Sequence, residues 1–300
     1  MTRWQGIFPA VITPFHEDES LDVPTLQTHL ERLLAAGMDG LIVLGTVGEN
    51  TALTLDEKLQ VLQVAVETVN HRVPVLTGVA ECSTRQAVQF TERAQALGVD
   101  GLMVLPAIGY RADRREALAH FRTILKRVTV PVMLYNNPVV YHVDIRPEDF
   151  AELTDYPQLV AIKESSDDVR RITDLRRLYG QRFALFCGVD DLVLESVLLG
   201  ADGWVAGLVN AYPRETRRLW EVARAGRWSE ALALYRWFTP LLHLDTRTKL
   251  VQCIKLACRE QGIAGETARA PRDRLEGAER EEVLQIIREA ATYSPLAERN

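Results

Sequence analysis

A repeated sequence pattern is the feature that most constrains the fold of this 300-residue chain. A glycine, an Asp-Gly step and an apolar run occur at 37–44 and again at 98–105, with a weaker copy at 200–207. The apolar runs show no polar alternation, which is typical of strands buried on both faces of a parallel sheet. The glycine suits the end of a helix, and the Asp-Gly step suits the turn into a strand. The repeat therefore predicts a chain built from β/α units.

Eight strands can be placed along the chain in this way, at 6–12, 39–45, 74–79, 100–105, 131–136, 159–164, 183–188 and 202–207. Amphipathic stretches follow them, and Thr54, Ser83 and Asp113 are typical residues at which such helices begin. Eight β/α units with short connections predict one closed (β/α)8 TIM barrel. The alternative is a doubly wound open sheet, but no G-x-G-x-x-G pattern follows the first strand.

The pattern becomes wholly helical after about Pro213. We expect the barrel to occupy residues 1–225 and a C-terminal helical extension, packed on the barrel, to occupy residues 226–300. An Ala/Leu run and several aromatic residues form amphipathic faces in this part: Trp220, Trp228, Trp237 and Phe238. These faces fit an interface between subunits, a lid over the site, or an extension docked on the barrel.

Composition excludes several classes of function. The 35 Lys and Arg residues and 41 Asp and Glu residues leave a net charge of −6, which gives no support for a nucleic-acid surface. A membrane span is not expected, because no run of 18 apolar residues occurs. The first residues lack the pattern of a signal peptide, so we expect a cytoplasmic protein. The four cysteines and six histidines are scattered, which predicts no metal site.

In a barrel of this kind the active site lies at the carboxyl ends of the strands. The sixth strand carries Lys163 on the same face as Leu159 and Ala161. If that face points inward, burial lowers the pKa of the ammonium and favours a nucleophilic amine. Such a lysine forms a Schiff base with a carbonyl substrate. The alternative is a lysine that extends to solvent from the strand end.

Three other strand ends carry polar groups. Tyr135 on the fifth strand is a candidate for proton transfer, or an ordinary half-buried tyrosine. Gly45 and Gly48, around Thr46 after the second strand, fit a loop whose N–H groups bind an anion, although such a pair usually marks a tight turn. After the seventh strand, Asp190 fits a ligand for a substrate hydroxyl or a helix cap.

Together these residues resemble the dihydrodipicolinate synthase / N-acetylneuraminate lyase family over nearly the whole chain. Its loop motif G-[TS]-T-G-E corresponds to GTVGE at 45–49, its Y-N-x-P to YNNP at 135–138, and its K-[ED] to KE at 163–164. The resemblance implies a class I lyase in which Lys163 forms the covalent imine, so that no metal or organic cofactor is needed. It also implies a homo-oligomer, either a tetramer or a dimer.

The resemblance further implies roles for individual residues. Tyr135 relays protons and is oriented by Thr46, and Tyr110 is a possible second tyrosine of this relay. A 2-oxo acid or cyclic 2-imino acid is the expected substrate. The residues expected to contact it are Gly45, Val47, Gly48, Gly188, Asp190 and Val205.

Departures from the family pattern bear on the substrate. Val47 replaces a threonine, and no arginine follows YNNP, where dihydrodipicolinate synthases hold a second carboxylate. The motifs look most similar to the hydroxyproline-degrading branch, whose members deaminate Δ1-pyrroline-4-hydroxy-2-carboxylate. Alternatives are an aldolase or dehydratase for a 2-keto-3-deoxy sugar acid, a 4-hydroxy-tetrahydrodipicolinate synthase, and a binding barrel without activity.

Overall fold

Eight parallel strands form the centre of the computed structural model, which describes residues 3–292. The strands are β1 (Gly6–Pro9), β2 (Leu41–Val43), β3 (Val75–Val79), β4 (Gly101–Val104), β5 (Val132–Asn136), β6 (Leu159–Glu164), β7 (Ala184–Cys187) and β8 (Gly203–Ala206).

The strands form a ring in chain order. Each of β2 to β8 pairs in parallel with its neighbour, and β8 pairs with β1. A parallel bridge between Ala10 and Ile42 joins β1 to β2, and the Val11 N–H donates to the Ile42 carbonyl at 2.9 Å. The predicted (β/α)8 barrel is therefore confirmed. β2 is shorter than predicted because Leu44 has a φ of 57°, a left-handed conformation that ends the strand.

Helices follow the strands. They are α1 (Val23–Ala35), α2 (Leu55–Val69), α3 (Thr84–Ala96), α4 (Arg114–Leu125), α5 (Pro138–Tyr141), α6 (Arg170–Tyr179), α7 (Val193–Leu198), α8 (Pro213–Arg224), α9 (Trp228–Leu242), α10 (Leu250–Glu260) and α11 (Gly277–Thr292). Thr54, Ser83 and Asp113 cap α2, α3 and α4 through their side-chain oxygens, as predicted.

Aromatic side chains fill the amino-terminal end of the barrel. Phe8 and Phe186 meet edge to face at 5.2 Å between ring centroids, and Trp4 packs on Phe8. Glycines make room for these rings, since a Cβ on Gly203 would lie 2.1 Å from the Phe186 ring. The opposite end of the barrel, where the strands finish, is left for a cavity.

The last helices return the chain to the barrel mouth. Phe238 of α9 is fully buried, and the Trp237 indole N–H donates to the Ala290 carbonyl of α11 at 3.2 Å. A short 3-10 helix, His243–Thr246, connects α9 toward α10 and lies beside the carboxyl ends of the strands. Within residues 3–292, none of the helices is long and apolar enough to cross a membrane.

Candidate active site

A cavity of about 470 Å³ opens at the carboxyl ends of the strands. It brings together residues from β2, β5, β6, β7, β8 and the C-terminal extension. Most of the residues predicted from the sequence line it: Gly45, Thr46, Val47, Tyr135, Lys163, Gly188 and Val205.

Lys163 points into this cavity from β6 and is almost fully buried. Its ammonium nitrogen lies 3.9 Å from the centroid of the Tyr135 ring, its register partner on β5. Burial lowers the pKa of Lys163 to about 8, against the opposing charges of Asp245 and Asp190. The side chain is therefore held inside the barrel as an amine that deprotonates near neutral pH, the property that a Schiff-base lysine needs.

Space for Lys163 comes from Gly188 at the end of β7. A Cβ at this position would lie 2.6 Å from Lys163 Cε and 2.0 Å from Ser165 Oγ. The Ser165 hydroxyl is buried, lines the cavity and has no hydrogen-bond partner among the described residues. It is thus available to a bound molecule.

Tyr135 places its phenol beside the lysine. The hydroxyl accepts a hydrogen bond from Asn137 Nδ2 at 3.0 Å. Burial raises the pKa of Tyr135 to about 12, so the phenol stays protonated at neutral pH. A neutral hydroxyl at this position can donate a proton to a reacting group and recover it.

Thr46 hydrogen-bonds to Tyr141, a residue that no sequence motif indicates. Its hydroxyl lies 2.6 Å from the hydroxyl of Tyr141, at the end of α5. The rings of Tyr141 and Tyr135 meet edge to face at 6.0 Å. Burial raises the pKa of Tyr141 as well. Tyr110, the sequence-based candidate for this position, is 60% exposed and does not line the cavity.

The loop after β2 borders the cavity and has backbone N–H groups that are not used within the protein. Among residues 3–292, no protein acceptor receives a hydrogen bond from the Thr46 or Val47 N–H. These two groups can therefore bind an anion such as a carboxylate. Gly48 lies behind them and does not line the cavity; a Cβ there would lie 2.9 Å from the Val11 carbonyl oxygen.

Asp190 is fully buried but lies outside the cavity wall. Its carboxylate accepts hydrogen bonds from the Trp204 indole and from the N–H groups of Gly207 and Leu208, at 2.7–3.2 Å. These contacts hold the turn after β8. The structure therefore places Asp190 where it supports the wall rather than where it touches a ligand.

Asp245 is a cavity residue that sequence reasoning missed. It lies in the 3-10 helix His243–Thr246 of the extension, with no strand and no motif to mark it. Burial raises its pKa well above the ordinary value, and the charge of Asp190 adds to the effect. The cavity thus holds an acid as well as an amine.

Two arginines also line the cavity. They are Arg272 and Arg247, and Arg247 also pairs with Glu282 at 2.6 Å. Directly after the YNNP segment, the apolar side chains of Val139 and Val140 line the cavity.

A buried ion pair joins the loop after β2 to the extension. Glu49 and Lys255 are both fully buried and contact each other, and Lys255 also donates to the Thr267 carbonyl at 2.7 Å. Glu49 accepts a hydrogen bond from the Arg269 N–H at 2.9 Å.

No candidate metal site is found among the described residues. None of their His, Cys, Asp and Glu side chains form a cluster of three or more that could hold a metal ion.

A buried lysine and a tyrosine at strand ends of one barrel define a lysine-dependent lyase. The family model of the dihydrodipicolinate synthetase family matches residues 3–290. The chain belongs to this family and is a class I lyase. Enzymes of the family act through a lysine Schiff base and need no external cofactor.

Two relatives named 4-hydroxy-tetrahydrodipicolinate synthase illustrate the similarity. One, from Methanoculleus marisnigri, is 33% identical over 290 residues, which cover 95% of this chain and 98% of the relative. The other, from Staphylococcus haemolyticus, is 35% identical over 225 residues, which cover 75% and 76% of the two chains.

Solved structures agree with the fold. Dihydrodipicolinate synthase from Aquifex aeolicus superposes with a TM-score of 0.91 at 28% identity, covering 96% of this chain and 98% of that one. The Acinetobacter baumannii enzyme, solved in complex with pyruvate, has a TM-score of 0.91 at 27% identity, covering 96% and 99%.

Proposed function

We propose that this enzyme deaminates Δ1-pyrroline-4-hydroxy-2-carboxylate, giving 2,5-dioxopentanoate and ammonia. The observation that carries the proposal is the pairing of a buried Lys163 amine with the Tyr135 phenol, next to a loop with two unused N–H donors. An apolar wall at Val139 and Val140 adds support, because a substrate with one carboxylate needs no cation there.

The substrate carboxylate binds the N–H groups of Thr46 and Val47. This places C2 of the ring imine near the Lys163 amine, which adds to C2. The ring nitrogen then leaves C2 as an amine, so that C2 and Lys163 share an imine and the ring is open. Tyr135 transfers the protons that this exchange requires, since its hydroxyl is protonated and lies beside the lysine.

The protonated imine accepts the electrons released when C3 loses a proton to a base in the cavity, which returns it to the carbon chain during the later tautomerisation. The resulting enamine expels the hydroxyl at C4 as water. Tautomerisation moves the remaining double bond to C5, where it forms an imine with the free amine. Hydrolysis at C5 releases ammonia and hydrolysis at C2 releases Lys163, so one water is consumed overall.

A second candidate is 4-hydroxy-tetrahydrodipicolinate synthase, the name carried by the relatives above. Its second substrate, aspartate semialdehyde, has a carboxylate that needs a cation. Arg272 lines the cavity and could supply that charge. Cleavage or dehydration of a 2-keto-3-deoxy sugar acid would use the same imine and is a further outcome of the test.

Product analysis of the purified enzyme separates these reactions. We expect ammonia release from Δ1-pyrroline-4-hydroxy-2-carboxylate, and no condensation of pyruvate with aspartate semialdehyde. Borohydride reduction during turnover should add substrate mass to the protein, and Lys163→Ala should abolish both the adduct and ammonia release. Condensation with aspartate semialdehyde, together with no turnover of the pyrroline, would contradict the deaminase proposal.

We also propose that the enzyme is a homo-oligomer, a dimer or a tetramer. Exposed apolar side chains on α7 and α9, among them Leu198, Trp228 and Leu232, are surfaces that a second copy could cover. Sedimentation equilibrium tests this point, and a monomer would contradict it. A cytoplasmic location stays a prediction.

A further inference from the structure

Two acidic side chains that line the cavity, Asp167 and Asp245, have no part in the steps above, and of the two only Asp245 is among the charges that act on Lys163. Asp245 lines the same cavity as Lys163 and Tyr135, but it comes from the C-terminal extension rather than from a strand. It is half-buried because part of its surface faces the cavity, and protein surrounds the rest of it.

The backbone is shaped to admit the Asp245 carboxyl group. A Cβ on Gly207, directly after β8, would lie only 2.0 Å from Asp245 Oδ1, so no other residue fits there without moving the carboxyl group. Gly188 after β7 makes room for Lys163 in the same way. Two glycines at neighbouring strand ends thus admit the amine and the acid into one cavity.

The two groups also interact through their charges. The Asp245 charge raises the pKa of Lys163, and the Lys163 charge lowers that of Asp245, while burial of the carboxyl group has the larger effect and keeps its pKa high. Burial therefore favours the protonated carboxyl group, which is the form that can act as an acid. Tyr135, whose pKa is about 12, is a much weaker acid.

We propose that Asp245 is a catalytic residue that protonates the leaving 4-hydroxyl of the lysine-bound substrate. The inference rests on the proposed deaminase function. Elimination from the enamine requires an acid at C4, because hydroxide is a poor leaving group. Asp245 is the acid of the cavity wall that interacts with Lys163, whereas the more exposed Asp167 does not.

The Asp245 proton leaves with the 4-hydroxyl and returns from C5. The enamine electrons form the C3–C4 double bond, the C4–O bond breaks, and the oxygen leaves as water with the Asp245 proton. Asp245 is then a carboxylate. It recovers its proton from C5 when the product tautomerises, so it ends the cycle as it began.

Asp245→Asn is the test variant, because asparagine keeps the shape and removes the acid. We expect ammonia release to fall about 100-fold or more, in the range that general acids contribute. We also expect borohydride to trap an adduct that still contains the 4-hydroxyl, one water heavier than the eliminated form. Asp191→Asn is the matched control, since Asp191 pairs with His243 of the same 3-10 helix at 2.7 Å and does not line the cavity.

A substrate with chlorine in place of the 4-hydroxyl makes the test specific, since chloride leaves without a proton. The variant should process this substrate nearly as fast as the wild-type enzyme, which a purely structural role for Asp245 would not produce. Gly207→Ala is a second variant, expected to displace the carboxyl group and slow elimination while pyruvate still forms its imine.

The outcomes are distinguishable. Wild-type rates for Asp245→Asn with the hydroxylated substrate, or an equal loss with the chlorinated one, would overturn the role of Asp245 and leave the deaminase proposal standing. An equal loss in Asp191→Asn would show that disturbing the 3-10 helix is enough to slow elimination, and would overturn the assignment of the acid to Asp245. If the wild-type enzyme releases no ammonia from the pyrroline, the deaminase proposal fails and this inference fails with it.

Discussion

Imine formation on Lys163 is expected to follow the deprotonation of its side chain, with a midpoint near pH 8. Burial among barrel residues lowers the pKa from 10.5 to about 8. At pH 7 a lysine with that pKa is a free amine in about one molecule in ten, against about one in three thousand for an ordinary lysine. The buried position therefore raises the concentration of nucleophile about 300-fold at neutral pH.

Rapid mixing with pyruvate, followed by borohydride quenching, measures this property. The initial rate of adduct formation, read from the protein mass, should rise from about pH 6 and level off above about pH 9, as a single titration with that midpoint requires. Lys163→Ala should give no adduct at any pH. A wild-type midpoint near 10.5, or a rate that does not change with pH, would refute the argument that burial activates the lysine.

Three further predictions concern the surroundings of the site. Glu49→Gln should lower the free energy of unfolding by about 3–5 kcal/mol, because Lys255 is left buried without its charge partner. The control is Glu57→Gln at a partly exposed ion pair, which should cost about 1 kcal/mol or less in the same urea titrations. Equal losses for the two variants would contradict this reasoning. Tyr141→Phe removes the hydroxyl that is hydrogen-bonded to Thr46 and should lower kcat for ammonia release at least about 10-fold. An unchanged kcat would show that Tyr141 takes no part in proton transfer with Tyr135. Burial lowers the pKa of His29 to about 4, so between pH 6.5 and pH 4 this histidine is protonated in the unfolded chain but not in the folded one. The free energy of unfolding should therefore drop as the pH falls through this range. Urea titrations at several pH values should show a shallower drop for His29→Gln.

The sequence alone was sufficient for the barrel, and it also predicts which residues lie at the carboxyl ends of its strands. Parallel strands buried on both faces appear as uninterrupted apolar runs, and a polar residue that ends such a run must lie at the carboxyl edge. Lys163 and Tyr135 were predicted on this ground, and they are register partners on β6 and β5.

Other members of the site depend on contacts between distant parts of the chain. Thr46 and Tyr141 are 95 residues apart, and no local pattern distinguished Tyr141 from the exposed Tyr110. Asp245 does not lie at the end of a strand, so the strand pattern gives no sign of it. It reaches the cavity from a 3-10 helix of the C-terminal extension.

Asp190 shows the reverse case. It follows a strand, as a ligand-binding residue would, but its oxygens accept hydrogen bonds from Trp204, Gly207 and Leu208. Periodicity and strand position determine which residues reach the carboxyl end of the barrel. Only tertiary packing decides which of them face the cavity, because that depends on where the chain returns and which hydrogen bonds are already satisfied.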